Sequence, residues 1–361
     1  MAAGRSGSRG AVALAFLVAS LSLVAGACGS DDEDPDPVSD HLIVSIGDSV
    51  ASGEGNPDRP ATAFRRARWQ SRRCHRSARS GHALAATQLL GPDQPGRMVL
   101  LGCSGATIRR GLLGPYRGIE PSRDGSREPA QVDRLRELAE GHDISAVLLS
   151  VGANDIGFGR IVQFCIFKEP CPKRAYDPEP GEPGPTPPLE EYMPEAIEEL
   201  AQDYRVLDAA LRRAVSAREV IVVEYFDPTS APAGAARGGN CGMFFGGVSP
   251  AESRWAREEV LGLLNDQIRE SAEEFGWLVV DDVDEEFAGH GICAGRQRYV
   301  TTARESVFGH GIPLAGNPLD RQTHRELLGS FAGTLHPNGA GHRATAELIV
   351  PLLEQLVVDT R

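Results

Sequence analysis

HLIVSIGDSVASGEG, residues 41–55, is the stretch from which the fold can be read. Its first seven residues are apolar except at the ends and Ser45, too few for a helix, and they run straight into Gly47-Asp48-Ser49. That pattern predicts a β-strand delivered into a tight polar turn. Leu42, Ile43 and Val44 follow one another without alternation, as in a strand covered on both faces within a parallel sheet. The same device recurs along the chain. Residues 98–101 lead into Cys103-Ser104-Gly105, and residues 146–151 (AVLLSV) lead into Gly152-Ala153-Asn154-Asp155. Two further apolar strands are expected at residues 220–225 and 278–283. Residues 129–140, 194–217, 253–275 and 341–357 have helical spacing. Strands alternating with amphipathic helices predict an α/β protein, three-layer α/β/α, with a central, mostly parallel five-stranded sheet. No internal repeat is visible.

The chain has 361 residues, of which 41% are hydrophobic, enough for a sizeable core. Its formal charge of −13, with both signs interspersed, leaves no basic stripe for nucleic acid or for an anionic membrane surface. Residues 1–27 read as a signal peptide: Arg5 and Arg9 precede an apolar run over residues 11–25. Losing both arginines would take the formal charge from −13 to −15. Ala25-Gly26-Ala27 before Cys28 fits either an ordinary cleavage site or a lipobox. The seven cysteines favour the second, since setting Cys28 aside as a lipidation point leaves an even number for disulfides. Residues 28–40 are acidic and Pro-containing, an expected tether. Residues 41–361 form the folded domain, with a Pro-rich surface excursion at residues 177–188. The expected location is extracellular or the outer face of the cell membrane, with the membrane touched only through the N-terminal lipid.

In open parallel sheets, sites form beyond the carboxyl ends of the strands. Three of those ends here are Gly-rich polar turns, and they supply what acyl transfer requires. Ser49 offers a hydroxyl, and the Ser49 and Gly105 backbone N–H groups with the Asn154 amide offer donors to an oxyanion. A serine hydroxyl needs a neighbouring base, and His336, just before the last helix, is the candidate.

GDSVASGEG (residues 47–55), CSGAT (103–107), GAND (152–155) and His336-Pro337 stand in the order of the four blocks of the SGNH, or GDSL, hydrolases. The extended first block and six cysteines resemble that family's secreted actinobacterial lipase and esterase branch, over the whole chain from His41 onward. The resemblance implies a flavodoxin-like sheet, nucleophile Ser49, base His336 and oxyanion donors Ser49, Gly105 and Asn154. It also implies disulfides Cys74–Cys103, Cys165–Cys171 and Cys241–Cys293. One position departs from the pattern. Where the family often has an Asp three residues before the histidine, this chain has Gly333. The branch resemblance implies that a backbone carbonyl, that of Gly333, orients the imidazole instead. A bond to His336 from Asp281, Asp282 or Asp320 would overturn this dyad.

Competing readings are weaker. Gly47-Asp48-Ser49 alone could be a helix cap, and His342 reads as a surface or capping residue. His75, His82, His142, His290, His310 and His324 show no ligand spacing, so no metal site and no cofactor are expected. No G-x-S-x-G elbow or phosphate-binding loop occurs. The expected protein is an exported, monomeric serine ester hydrolase acting on a small-molecule or lipid ester. A carbohydrate O-acetyl esterase, or a non-catalytic glycan- or lipid-binding lipoprotein on the same scaffold, is the alternative.

Overall fold

Five strands form one sheet in the order β2-β1-β3-β4-β5: β1 (His41–Gly47), β2 (Met98–Leu100), β3 (Asp143–Ser150), β4 (Glu219–Val223) and β5 (Leu278–Val280). Every pairing is parallel, so the sheet is more uniform than the mostly parallel one expected. The computed structural model describes residues 41–62, 65–91, 97–120, 122, 124–178, 186–216, 219–233, 247–310 and 331–358. Residues 1–40, and with them the expected signal peptide and tether and Cys28, lie outside the described residues, as do Cys241, Asp320 and His324.

The sheet is buried on both faces, as the unbroken apolar runs require. Leu42, Val44 and Ile46 of β1 join Val147 and Leu149 of β3 in one core. This core is covered by α3 (Gln131–Ala139), α5 (Leu189–Ala214) and α7 (Leu263–Phe275). Ile43, Ala146 and Leu148 point to the other core, covered by α2 (Gly81–Leu90), α8 (Val283–Glu286) and α10 (Gly339–Val358). The period of two along each strand thus divides its side chains between two helical layers.

Some boundaries differ from those expected. Helix α5 starts at Leu189 rather than Pro194, because Leu189 and Met193 are buried against the core and Pro194 is carried inside the helix. The helix expected from residue 253 begins at Pro250, the N1 residue after the Ser249–Glu252 capping box, as α6 (Pro250–Ala256). It continues through a π-helical stretch, Arg257–Gly262, into α7. Among the described residues, α2, α4 (Phe158–Phe167), α8 and α9 (Ala303–His310) are helices that the spacing does not predict.

The strand order places the chain reversal between β1 and β3, which are neighbours although β2 intervenes in sequence. Loops from these two strands leave in opposite directions, opening a crevice at their carboxyl ends. Among the described residues two disulfides occur, Cys74–Cys103, which ties the loop before α2 to the turn after β2, and Cys165–Cys171, which ties α4 to the turn after it. Among the described residues no helix is long and apolar enough to cross a membrane.

Candidate active site

β1 ends on Gly47, whose φ of +134° and crowding leave room for no side chain: a Cβ would come within 2.1 Å of the Ser150 carbonyl oxygen. The Gln131 amide pairs with both backbone groups of Gly47, accepting at 2.7 Å and donating at 2.8 Å. The next three residues turn into α1 (Ser49–Ser52). Asp48 caps it through Val50 N–H at 2.9 Å, and its other carboxylate oxygen accepts from the Tyr225 hydroxyl at 2.6 Å. Burial pushes the Asp48 carboxyl up to about 7, against those two bonds. The capping reading of Gly47-Asp48-Ser49 is therefore correct for Asp48, while Ser49 is turned outward onto a cavity.

Beside it on the wall of that cavity stands His336, with Nε2 2.7 Å from Ser49 Oγ. Its Nδ1 lies 3.1 Å from the Thr334 carbonyl oxygen. A carbonyl only accepts, so Nδ1 carries the proton and Nε2 is left to accept from the Ser49 hydroxyl. The ring is thus oriented by Thr334 and not by Gly333. The Gly333 carbonyl is taken by the His336 backbone N–H at 3.1 Å, because the chain closes a tight turn there. Leu335, between Thr334 and His336, holds φ +65° and is pinned by Thr301, whose carbonyl accepts from Leu335 N–H at 2.9 Å. Burial lowers the His336 pKa, opposed by Glu54 and by the Thr334 carbonyl, which keeps the ring neutral near pH 7.

The turns after β2 and β3 are tied together. The Asn154 amide donates to the Ala106 carbonyl at 3.0 Å, and Asp155 accepts from Ile108 N–H at 2.9 Å. One amide hydrogen of Asn154 remains for another acceptor. Ser49, Asn154 and His336 line one cavity of about 450 Å³. Gly105 sits in the braced turn beside Ala106, with φ +80°, and is not itself among the residues lining that space. The rest of the wall is mostly apolar, including Phe158, Val162, Ile166, Leu261, Leu264 and Phe331, with Gln163, Tyr225 and Thr334 as its polar members. Of these, Phe158, Val162 and Leu261 also line a smaller adjoining cavity of about 50 Å³.

Two further histidine clusters occur. His82, fully buried beneath the sheet, lies 2.7 Å from Ser45 Oγ and 3.1 Å from Ser150 Oγ, and burial pushes its pKa down to about 3. His75 and His310, which show no ligand spacing in sequence, are brought by the fold to one buried carboxylate, Glu54. Their donor atoms lie within 4.8 Å of one another, closer than the sequence suggested, and one Glu54 oxygen lies 2.7 Å from His75 Nδ1 and the other 3.1 Å from His310 Nε2. His342 is not a surface residue: it is fully buried, accepting from Gly81 N–H at 3.1 Å and facing the Glu54 carbonyl at 3.1 Å. Its helix packs along α2, which turns that face inward. Sequence reading also missed Gln131 and Tyr225, which hold the distant β1 turn through Gly47 and Asp48, and Thr334, which holds the His336 ring from two residues before it.

A family model described as GDSL-like lipase/acylhydrolase matches residues 45–344. Comparison with curated protein sequences finds no match. The fold is similar to the extracellular lipase from Streptomyces rimosus, with a TM-score of 0.54 and 19% identity over 88% of this chain and 99% of that one. It is also similar to phospholipase A1 from Streptomyces albidoflavus NA297, with a TM-score of 0.52 and 18% identity over 87% of this chain and 98% of that one.

Proposed function

Because the chain belongs to the GDSL-like lipase/acylhydrolase family, and so stands among hydrolases acting on esters, we propose that it cleaves carboxylic esters of apolar acyl chains through an acyl-enzyme on Ser49. The observation that carries this reading is the 2.7 Å contact of Ser49 Oγ with His336 Nε2 at the wall of an apolar cavity of about 450 Å³.

In the first half-reaction His336 Nε2 takes the Ser49 proton as Oγ bonds to the ester carbonyl carbon. The carbonyl oxygen becomes an oxyanion, met by the Ser49 and Gly105 N–H groups and the free hydrogen of the Asn154 amide. As the intermediate collapses, the carbon–oxygen bond to the alcohol breaks and His336 returns its proton to that oxygen. Water then repeats the sequence on the acyl-serine, releasing the acid and restoring the hydroxyl. Thr334 keeps the ring in the required tautomer throughout.

Acetyl transfer would leave most of the cavity unused, so the apolar wall supports lipid or other long-acyl esters over sugar acetates. Each methylene buried is worth about 0.8 kcal/mol, so kcat/KM should climb roughly threefold to fourfold per methylene until the cavity is filled. A panel of nitrophenyl esters from acetyl to palmitoyl, run on wild type and Ser49→Ala, tests this. A maximum at acetyl would favour a carbohydrate acetylesterase. No turnover of any ester by wild type would favour a binding lipoprotein.

Export and lipidation at Cys28 belong to the same proposal, supported by two disulfides that suit an oxidising compartment. Mass spectrometry of the mature N-terminus tests them, since a diacylglyceryl adduct should be present on Cys28 and absent from Cys28→Ala.

A further inference from the structure

A serine–histidine pair ordinarily draws on a carboxylate to stabilise the imidazolium, and here the ring nitrogens are taken by Ser49 and a carbonyl. A buried carboxylate, Glu54, nevertheless precedes Gly55, the residue that packs against the His336 turn. Glu54 follows Ser49 by five residues, and its N–H donates to the Ser49 carbonyl at 3.0 Å. One carboxylate oxygen lies 2.7 Å from His75 Nδ1 and the other 3.1 Å from His310 Nε2. His75 reaches onward through Nε2 to Glu120 at 3.1 Å, which pairs with Arg72 at 2.6 Å, and Trp69 stacks on His75 with centroids 4.5 Å apart.

This network encloses the His336 turn from two sides. On one side is Gly55, where an added Cβ would meet His336 Cβ at 3.3 Å and the Pro337 carbonyl oxygen at 2.5 Å. On the other, the His310 ring lies against Gly333, its Cε1 2.8 Å from where a Cβ would stand. Strain marks the same contact. Among the described residues, the two non-glycine positions with positive φ are His75, at 49°, and Leu335, at 65°, one in the clamp and one in the turn it faces.

We propose that Glu54, clamped by His75 and His310, is a positioning residue for His336: it fixes the His336 turn against Ser49 and places a buried negative charge behind the ring, where Thr334 supplies only a dipole. Burial alone would raise the Glu54 carboxyl, but the His75 charge and the bonds from His310 and His75 hold it well below the usual range, so it is ionised. The groups facing His336 are Glu54 from the loop after α1, His75 from the Cys74 loop, His310 from α9 and His342 from α10. After burial, which lowers the His336 pKa, Glu54 is the strongest influence, and it raises it. His310 and His75 push the other way more weakly.

The inference rests on Ser49 and His336 being the reacting pair, and its test is separable from that reading. The pH dependence of kcat/KM is measured for wild type, Glu54→Gln and Glu54→Asp on one soluble ester. Removing the charge should lower the His336 pKa, moving the acid limb down by about 0.5 pH units or more, with kcat falling about tenfold and KM little changed. Glu54→Asp, which keeps the charge, should leave the limb where wild type has it. A role confined to stability would lower activity without moving the limb, and an unmoved limb in Glu54→Gln overturns the proposal. If Glu54→Gln does not fold, Glu54→Gln/His75→Gln carries the same prediction with a smaller shift. It removes one charge of each sign and leaves Glu120 with Arg72. Wild type inactive on every ester would instead defeat the hydrolase reading.

Discussion

Two serine–histidine contacts in this molecule are the same length and differ in everything else. Ser49 Oγ meets His336 at 2.7 Å at a cavity wall, and Ser45 Oγ meets His82 at 2.7 Å beneath the sheet. Both serines come from the same strand or its turn, four residues apart. In the His82 cluster both ring nitrogens face hydroxyls, the helices of one layer exclude solvent, and burial makes the ring a very weak base. In the other, a carbonyl fixes the tautomer, donors gather across the gap, and an apolar space of substrate size opens beside the hydroxyl. A short serine–histidine distance is therefore no signature of catalysis. Access, tautomer and the donors proposed for an oxyanion separate the two.

The largest expected effect sharpens this contrast directly. Ser49→Ala should lower kcat by at least about 10⁴-fold, while Ser45→Ala should keep turnover within a few-fold. The latter should instead lose roughly 1–3 kcal/mol of stability, read from denaturant melts, since one His82 nitrogen is left buried without its partner. Equal loss of turnover in both would break the distinction. Next, Asn154→Ala should reduce kcat by about 10²–10³-fold with little change in KM, because it would remove one oxyanion donor. Single-turnover kinetics check that the loss lies in acylation.

Opening Cys74–Cys103, 29 residues apart in sequence, should remove roughly 3.5 kcal/mol by the chain-entropy relation and also loosen the Gly105 turn. Cys165–Cys171, only 6 apart, should contribute about 2.3 kcal/mol. Cys74→Ala/Cys103→Ala and Cys165→Ala/Cys171→Ala double variants separate the two, and the first should lose more turnover at temperatures where both remain folded. A further expected effect concerns acid. His82 has a folded pKa of about 3 against 6.5 when exposed, so the folded state binds fewer protons than the unfolded chain. The stability this confers is complete above pH 6.5 and is lost progressively as pH falls toward 3. Ring-proton NMR should show His82 still neutral at pH 5, and a His82 titration near 6.5 would contradict its burial.

How far the sequence reveals all this depends on whether a feature is local. Strand β1, its turn and Ser49 are legible because an apolar run ending in Gly-Asp-Ser has few other structural meanings. Asn154 and His336 are legible for the same reason, as strand-end or turn residues with a family resemblance behind them. Thr334 is not. Choosing between it and Gly333 requires the handedness of the Leu335 backbone, which no spacing records. Glu54, His75 and His310 are invisible as a group, since they lie 21 and 235 residues apart in sequence and meet only when α9 packs beside the Cys74 loop. Helix α4 has helical length and apolar content. Its residues are divided between the core, where Ile161 and Cys165 are buried, and the cavity wall.

Leu335 joins two demands at one position. Its side chain lines both cavities, while its backbone occupies a conformation that glycine would adopt without penalty and leucine adopts at about 1 kcal/mol or more. Glycine would relax the turn but strip away part of the wall. A larger side chain would narrow the cavity without easing the strain. Any change in acyl preference made at residue 335 therefore also shifts the tension in the turn that presents His336. On the proposed reading, acyl selectivity and the placing of His336 cannot be altered independently there, and descendants that change diet would be expected to do so through α4 instead.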